Sequence, residues 1–164
     1  MPNWCLTQYN VINGNENVLE TLLKEFTEAT KINTVQNAYG EKWLGNVMLH
    51  LGLTEDEMQK TRCRGTVECD QTIDFDEETG LYELHIFSET AWEPMPDAIL
   101  RMVEKFAPDS KITYLSETPM SEVYITNIPD LVGSIYGGNV SDEDEACDET
   151  EEEKIWQFMP LEDL

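Results

Sequence analysis

Apolar and polar residues alternate loosely along residues 4–13 (WCLTQYNVIN), a stretch rich in strand formers that predicts a β-strand. Asn13-Gly14-Asn15 is a turn signal. Val18, Leu19, Leu22, Leu23 and Phe26 then recur at helical spacing and predict a helix over 16–30, with Asn15 as its cap and Glu16 in its first turn. Residues 32–40 read as a connection closed by Tyr39-Gly40. A second helix is expected over 41–51, with Trp43, Leu44, Val47, Met48 and Leu51 on its apolar face, Gly45 weakening it and Gly52 as its stop. Residues 54–60 predict one more helical turn, with Thr54 as cap and Glu57 three residues on.

Residues 64–76 alternate more clearly. Val67, Cys69, Ile73 and Phe75 share one face, and Glu68, Asp70, Asp74 and Asp76 share the other, as on a half-buried strand. Glu77-Glu78-Thr79-Gly80 reads as a hairpin turn and Leu81 to Glu89 as the return strand. Pro94 and Pro96 open a helix expected over 96–107, with Ile99, Leu100, Val103 and Phe106 facing the core. Strands follow over 111–117 and 122–128, with a turn at Thr118-Pro119. The order β-α-α-β-β-α-β-β predicts an α+β fold in which helices cover one face of a mainly antiparallel sheet, the ferredoxin-like, split βαβ arrangement. After Gly137-Gly138, which read as a hinge, the pattern is lost. Residues 139–164 are expected to form an acidic, flexible tail that ends in the apolar segment 155–164 (IWQFMPLEDL).

Charge narrows the functional classes. The 164 residues hold 34 Asp and Glu against 10 Lys and Arg, a net charge of −24. Residues 1–138 hold 23 acids and 9 bases, and residues 139–164 hold 11 acids and 1 base, so two regions share the excess. Such a chain repels nucleic acid, whose binding needs cations to replace counterions, and it repels anionic membranes. It attracts basic surfaces, at rates that fall with salt. No apolar run approaches 18 residues, and the Met-Pro-Asn-Trp-Cys start lacks a basic region followed by an apolar one. Cys5, Cys63, Cys69 and Cys147 form no CxxC pair. Cytoplasmic placement with reduced thiols is the expectation.

Candidate chemistry is sparse. Counted from Asp74 as in an EF-hand, position 6 is Thr79 and position 12 is His85, so the glycine falls one residue late and the bidentate ligand is missing. The stretch reads as a hairpin turn, and no metal or other cofactor is expected. His50 and His85 are the two histidines, and neither is accompanied by a sequence signature for a catalytic triad. Gly133 to Gly138 lacks the Lys and Ser/Thr of a phosphate loop. Trp4, Trp43 and Trp92 read as core residues. Trp156, together with Phe158, either docks on the domain or anchors a partner.

Three short motifs carry a family resemblance. Asn3-Trp4-Cys5 looks like an Asn-Trp-Cys start, Tyr39-Gly40-Glu41-Lys42-Trp43 is similar to a Trp-Gly-x-Lys-Trp segment, and Thr90-Ala91-Trp92-Glu93-Pro94 resembles Thr-x-Trp-x-Pro. In this order, over residues 1–128, they resemble the YubB-like family of uncharacterised plasmid and phage proteins. Thr7 stands where that family usually has Asn, and the acidic tail is no part of its pattern. The resemblance implies the ferredoxin-like fold and a mobile-element origin, and supplies no catalytic residue.

The expected function is therefore non-enzymatic binding of a protein with a Lys/Arg-rich surface. Same-face neighbours on a strand lie about 6.6–6.8 Å apart, so Glu68, Asp70, Asp74 and Asp76 would form a row of fixed charge with some likeness to a nucleic-acid backbone. Glu77, Glu78, Glu83 and Glu89 would widen it. With a mobile-element origin, a host defence nuclease is the expected target, either a CRISPR effector or a restriction enzyme, and the protein its nucleic-acid-mimicking inhibitor. The alternative is an adaptor that recruits a basic partner through its tail, with Trp156 and Phe158 as anchors.

Overall fold

The computed structural model describes residues 3–32, 41–58, 60–118, 123–133 and 156–163. Strand β1 (Trp4–Asn13) leads into helix α1 (Glu16–Thr30), as the spacing predicts. The side chain of Asn15 accepts a hydrogen bond from Asn17 N at 3.1 Å and caps the helix. Helices α2 (Leu44–His50) and α3 (Glu55–Met58) follow, then β2 (Gly65–Cys69), β3 (Asp74–Asp76) and β4 (Leu81–Ala91). Helix α4 (Asp97–Phe106) leads into β5 (Lys111–Thr118), β6 (Val123–Thr126) and the two-residue β7 (Gln157–Phe158).

The strands make one seven-stranded sheet in the order β2-β4-β1-β5-β6-β7, with β3 also paired to β4. Every pairing is antiparallel except β6 with β7. Register fixes which residues share a face. Tyr9 lies opposite both Ile86 and Tyr114, and Val11 opposite both Leu84 and Ile112. These residues join Val67 and Ile125 in one buried cluster with Leu19, Leu22 and Phe26 of α1, Val47 and Met48 of α2, and Ile99, Met102 and Val103 of α4. The same face of the sheet thus packs against all three longer helices.

Several expectations are corrected. The second helix starts at Leu44 rather than residue 41, because Lys42 adopts a left-handed φ of 65° and Trp43 is extended and bridged to Thr66. Trp43 then folds its ring over Gly45, where a Cβ would overlap it, so this glycine serves packing. Gly52 does end the helix, at a φ of 85° that favours glycine. The helix expected over 96–107 spans 97–106, and its fully buried residues include Ala98 and Met102 while Leu100 is half-buried. The turn expected at Thr118-Pro119 begins later, since Thr118 still pairs with Val123, and residues 119–122 lie outside the described residues.

The strand expected over 64–76 is broken in two. Cys69 pairs with Ile86 and Asp74 with Glu83, which leaves four residues (70–73) facing the two on β4, Leu84 and His85. The surplus bulges out. Because it is even, the alternation of faces resumes unchanged at β3. Phe75, expected in the core, is 53% exposed and packs on Tyr82 at 4.9 Å between ring centroids, because β3 is an outer strand paired only to β4. Trp4 and Trp92 are likewise exposed rather than core. Trp92 sits just beyond β4 at a φ of 70°, with the Arg64 guanidinium 4.5 Å over its ring.

Residues 134–155 lie outside the described residues, and with them the expected hinge at Gly137-Gly138 and residues 139–155 of the expected tail. Its end does not hang free: β7 pairs with β6, and Tyr114 Oη donates to Met159 O at 2.6 Å. Among the described residues no helix is long and apolar enough to cross a membrane.

Candidate functional site: the open face of the sheet

The face of β1 opposite the helices carries Trp4, Leu6, Gln8, Asn10 and Ile12, and register extends it across the sheet as a series of ranks. In the first rank, Leu6 lies directly between Glu89 of β4 and Glu117 of β5, with Thr66 beyond Glu89 and Tyr124 beyond Glu117. In the second, Gln8 lies between Phe87 and Leu115, with Glu68 beyond Phe87 and Thr126 beyond Leu115. In the third, Asn10 lies between His85 and Thr113, and in the fourth Ile12 lies between Glu83 and Lys111, with Asp74 beyond Glu83. Between the first two ranks the face is hollowed into a groove of about 510 Å³, bordered by Leu6, Phe87, Leu115, Glu68, Glu89 and Glu117.

The predicted row of carboxylates is therefore two groups. Glu68 and Glu89 lie at the groove, where Glu117 joins them. Asp74, Asp76 and Glu83 lie at the hairpin end. Asp70, expected in line with them, is half-buried in the bulge, where its backbone N donates to His85 O at 3.0 Å. Asp76 is committed to the turn. Its carboxylate accepts from Glu78 N at 2.9 Å and Thr79 Oγ1 at 2.6 Å, and these bonds hold it below the usual Asp range. Glu77 and Glu78 are exposed in that turn. Glu68 is paired with Lys42 in an exposed ion pair.

A polar network separates the two groups. His85 Nδ1 lies 2.9 Å from Asn10 Oδ1, and Gln8 Nε2 donates to the same oxygen at 3.0 Å. An amide oxygen only accepts, so this hydrogen bond is made by the tautomer that carries its proton on Nδ1. His85 Nε2 lies 3.4 Å from Asp74 Oδ2, a pairing that is ionic only when the ring is doubly protonated. The network's side chains are an imidazole, two amides and a carboxylate, and these contacts orient them against one another. Elsewhere His50 Nε2 pairs with Glu25 at 2.7 Å between α2 and α1. Among the described residues, no three His, Cys, Asp or Glu are grouped so as to hold a metal ion.

Of the two expected tail anchors, Trp156 is buried, its ring edge-on to Tyr124 at 5.8 Å and 80°. Phe158 is 53% exposed, opposite Thr126 on β6. They occupy the far margin of the same sheet, with Trp156 bordering the groove.

Leu6, Phe87, Leu115 and Glu117 are the site residues that sequence reasoning missed. A signal existed for the first two. Strands β1 and β4 carry apolar residues on both alternating sets, Leu6 against Tyr9 and Val11, Phe87 against Leu84 and Ile86, which a strand with one wet polar face does not require. Comparisons with protein families, with curated proteins and with solved structures return no match for this chain.

Proposed function

We propose that this chain is a non-enzymatic acidic protein that uses its open sheet face to occupy the Lys/Arg-lined nucleic-acid site of a partner protein, as a nucleic-acid-mimicking inhibitor. The observation that carries the reading is the placement of Glu68, Asp74, Glu83, Glu89 and Glu117 on one side of a hydrogen-bonded sheet, which gives their carboxylates fixed spacing. Adjacent strands lie about 4.7–4.9 Å apart and same-face neighbours along a strand about 6.6–6.8 Å apart, so the charges form a two-dimensional lattice. Confined like charges repel, most where Asp74 and Glu83 face each other across adjacent strands. A cationic partner relieves that repulsion.

The fold reading that accompanies it is ferredoxin-like. The order β2-β4-β1-β5, with β4 lying between β1 and β2 and β1 between β4 and β5, supports two interleaved βαβ units. The resemblance to plasmid and phage proteins supplies the class of target, a host defence nuclease of the CRISPR or restriction type.

The test is capture followed by displacement. The full chain is immobilised, exposed to such a nuclease, and challenged with that nuclease's own DNA or RNA substrate. Substrate should displace the nuclease, and binding should fall steeply with salt. A variant with Glu68, Asp74, Glu83 and Glu89 changed to Lys should lose it. Retention by that variant, with loss when the acids of 141–153 are replaced by Asn and Gln, would assign binding to the acidic segment and make the protein an adaptor.

A further inference from the structure

The groove is apolar where a plain phosphate mimic has no need to be. Leu6 is 46% exposed and Phe87 40% exposed, although both lie in the middle strands of the sheet. Exposed apolar side chains scattered singly need no explanation, but these border one groove with Leu115. Three carboxylates frame it: Glu89 and Glu117 on either side of Leu6, and Glu68 beside Phe87.

That frame decides among occupants. The chain's own run 141–153 has nine acids and no base, and the carboxylates repel it. A second copy docked face to face would bring the same three glutamates against themselves. Nucleic acid and anionic lipid are repelled for the same reason. Charge complementarity favours a cationic segment of another protein that carries an apolar side chain.

Spacing specifies it further. Glu89 and Glu117 sit on the two strands flanking β1, two inter-strand steps apart, which is about 9.5 Å. On a helix the rise is about 1.5 Å per residue and the turn about 100°, so basic residues seven positions apart lie about 10.5 Å apart on one face, with the positions three and four residues after the first on that face too. We infer that the groove receives a basic amphipathic helix lying across the strands, whose central Leu- or Phe-like side chain seats between Leu6, Phe87 and Leu115 while Lys or Arg on either side pairs with Glu89 and Glu117. The inference rests on the reading that this face binds a basic protein surface, and adds to it an apolar anchor. Charge then sets the encounter rate, and the anchor sets which cationic partner stays.

The probe is a synthetic alanine-based helical peptide with Lys, Leu and Arg at positions i, i+4 and i+7, compared with the same peptide bearing Ala in place of Leu. Each is titrated into the ¹⁵N-labelled full chain at low and moderate salt. The Leu peptide should bind about tenfold tighter or more, as expected from burying one leucine side chain. Amide shifts should centre on Leu6, Phe87 and Leu115. Phe87→Ala should remove most of the difference between the peptides, and the pair Glu89→Gln and Glu117→Gln should weaken both. Equal affinity of the two peptides for the unaltered chain overturns the anchor, while their shared loss on neutralising the glutamates leaves the acidic-face reading standing. Binding that ignores those two glutamates overturns both. Concentration-dependent shifts of the same residues without peptide would show a second copy in the groove and also overturn the inference.

Discussion

Asp74 lies directly opposite Glu83 on the paired strands β3 and β4, with His85 Nε2 3.4 Å from the Asp74 carboxylate. Two acids in facing positions work against the pairing that holds β3, a three-residue strand whose strand partner among the described residues is β4. Opposite charges in such a pair contribute about 0.2–1 kcal/mol and like charges oppose by a similar amount. Glu83→Lys should therefore raise the unfolding free energy by about 0.2–1 kcal/mol, read as a higher urea midpoint with the slope unchanged. An unchanged midpoint would mean that the two carboxylates already splay into water.

Gly65 opens β2, opposite Thr90. A Cβ there would overlap the carbonyl oxygen of Glu89 and crowd Thr90, so backbone has to move, not a flexible side-chain tip. Gly65→Ala should cost about 1–3 kcal/mol, the usual range for overpacking. The loss should be directed at β2, which carries Glu68, so amide exchange should quicken in residues 66–69 ahead of β1. Uniform quickening would show that β2 and the rest of the sheet open as one unit.

Cys69 and Cys63 set a pH dependence. Burial pushes the Cys69 thiol up to about 12, with nearby Asp70 adding to the shift, and half-burial raises Cys63 as well. Both shifts are upward, so the unfolded chain loses these protons first. The stabilisation is present in full below the unfolded thiol value of 9.0 and is lost as pH rises toward about 12. Cys69→Ala should flatten the alkaline limb of the stability profile between those values. Below pH 8 the thiol of the native chain should react with a disulfide reagent far more slowly than that of a urea-unfolded sample.

Much of this arrangement was legible in the letters, and what was hidden shares a cause. The stripe at Leu19, Leu22 and Phe26 marked α1, and Thr54 with Glu57 marked the capping box of α3, where Thr54 N and Oγ1 donate to Glu57 at 2.8 and 2.7 Å. These are contacts within a few residues. The bulge at 70–73 was invisible because alternation continues in phase across an even insertion. The late start of α2 was invisible because Trp43 has the size and apolarity of a helix-face residue, and only its bridge to Thr66 draws it out of the helix. The groove depends on pairing between residues up to 111 positions apart, Leu6 with Glu117, which no local pattern encodes.

The C-terminal segment offers the sharpest stability test. Strand β6 has only four residues, and its outer edge would be open to other chains but for β7. Two residues of parallel pairing are too few to hold that cover alone. Trp156, buried and edge-on to Tyr124, supplies the apolar contact, and Gly133 N donates to Trp156 O at 3.0 Å while Met159 N donates to Thr126 O at 2.9 Å. Trp156→Ala should cost about 3–5 kcal/mol if the segment unfolds together with the domain, as is usual for a buried large aromatic. If it detaches alone, the global urea midpoint should move little, while the amides of Gly133 and Met159 lose protection and the chain self-associates through the uncovered edge. Either result ties the segment to the sheet. Unchanged exchange at both amides, with an unchanged midpoint, would mean that backbone pairing holds β7 without its tryptophan.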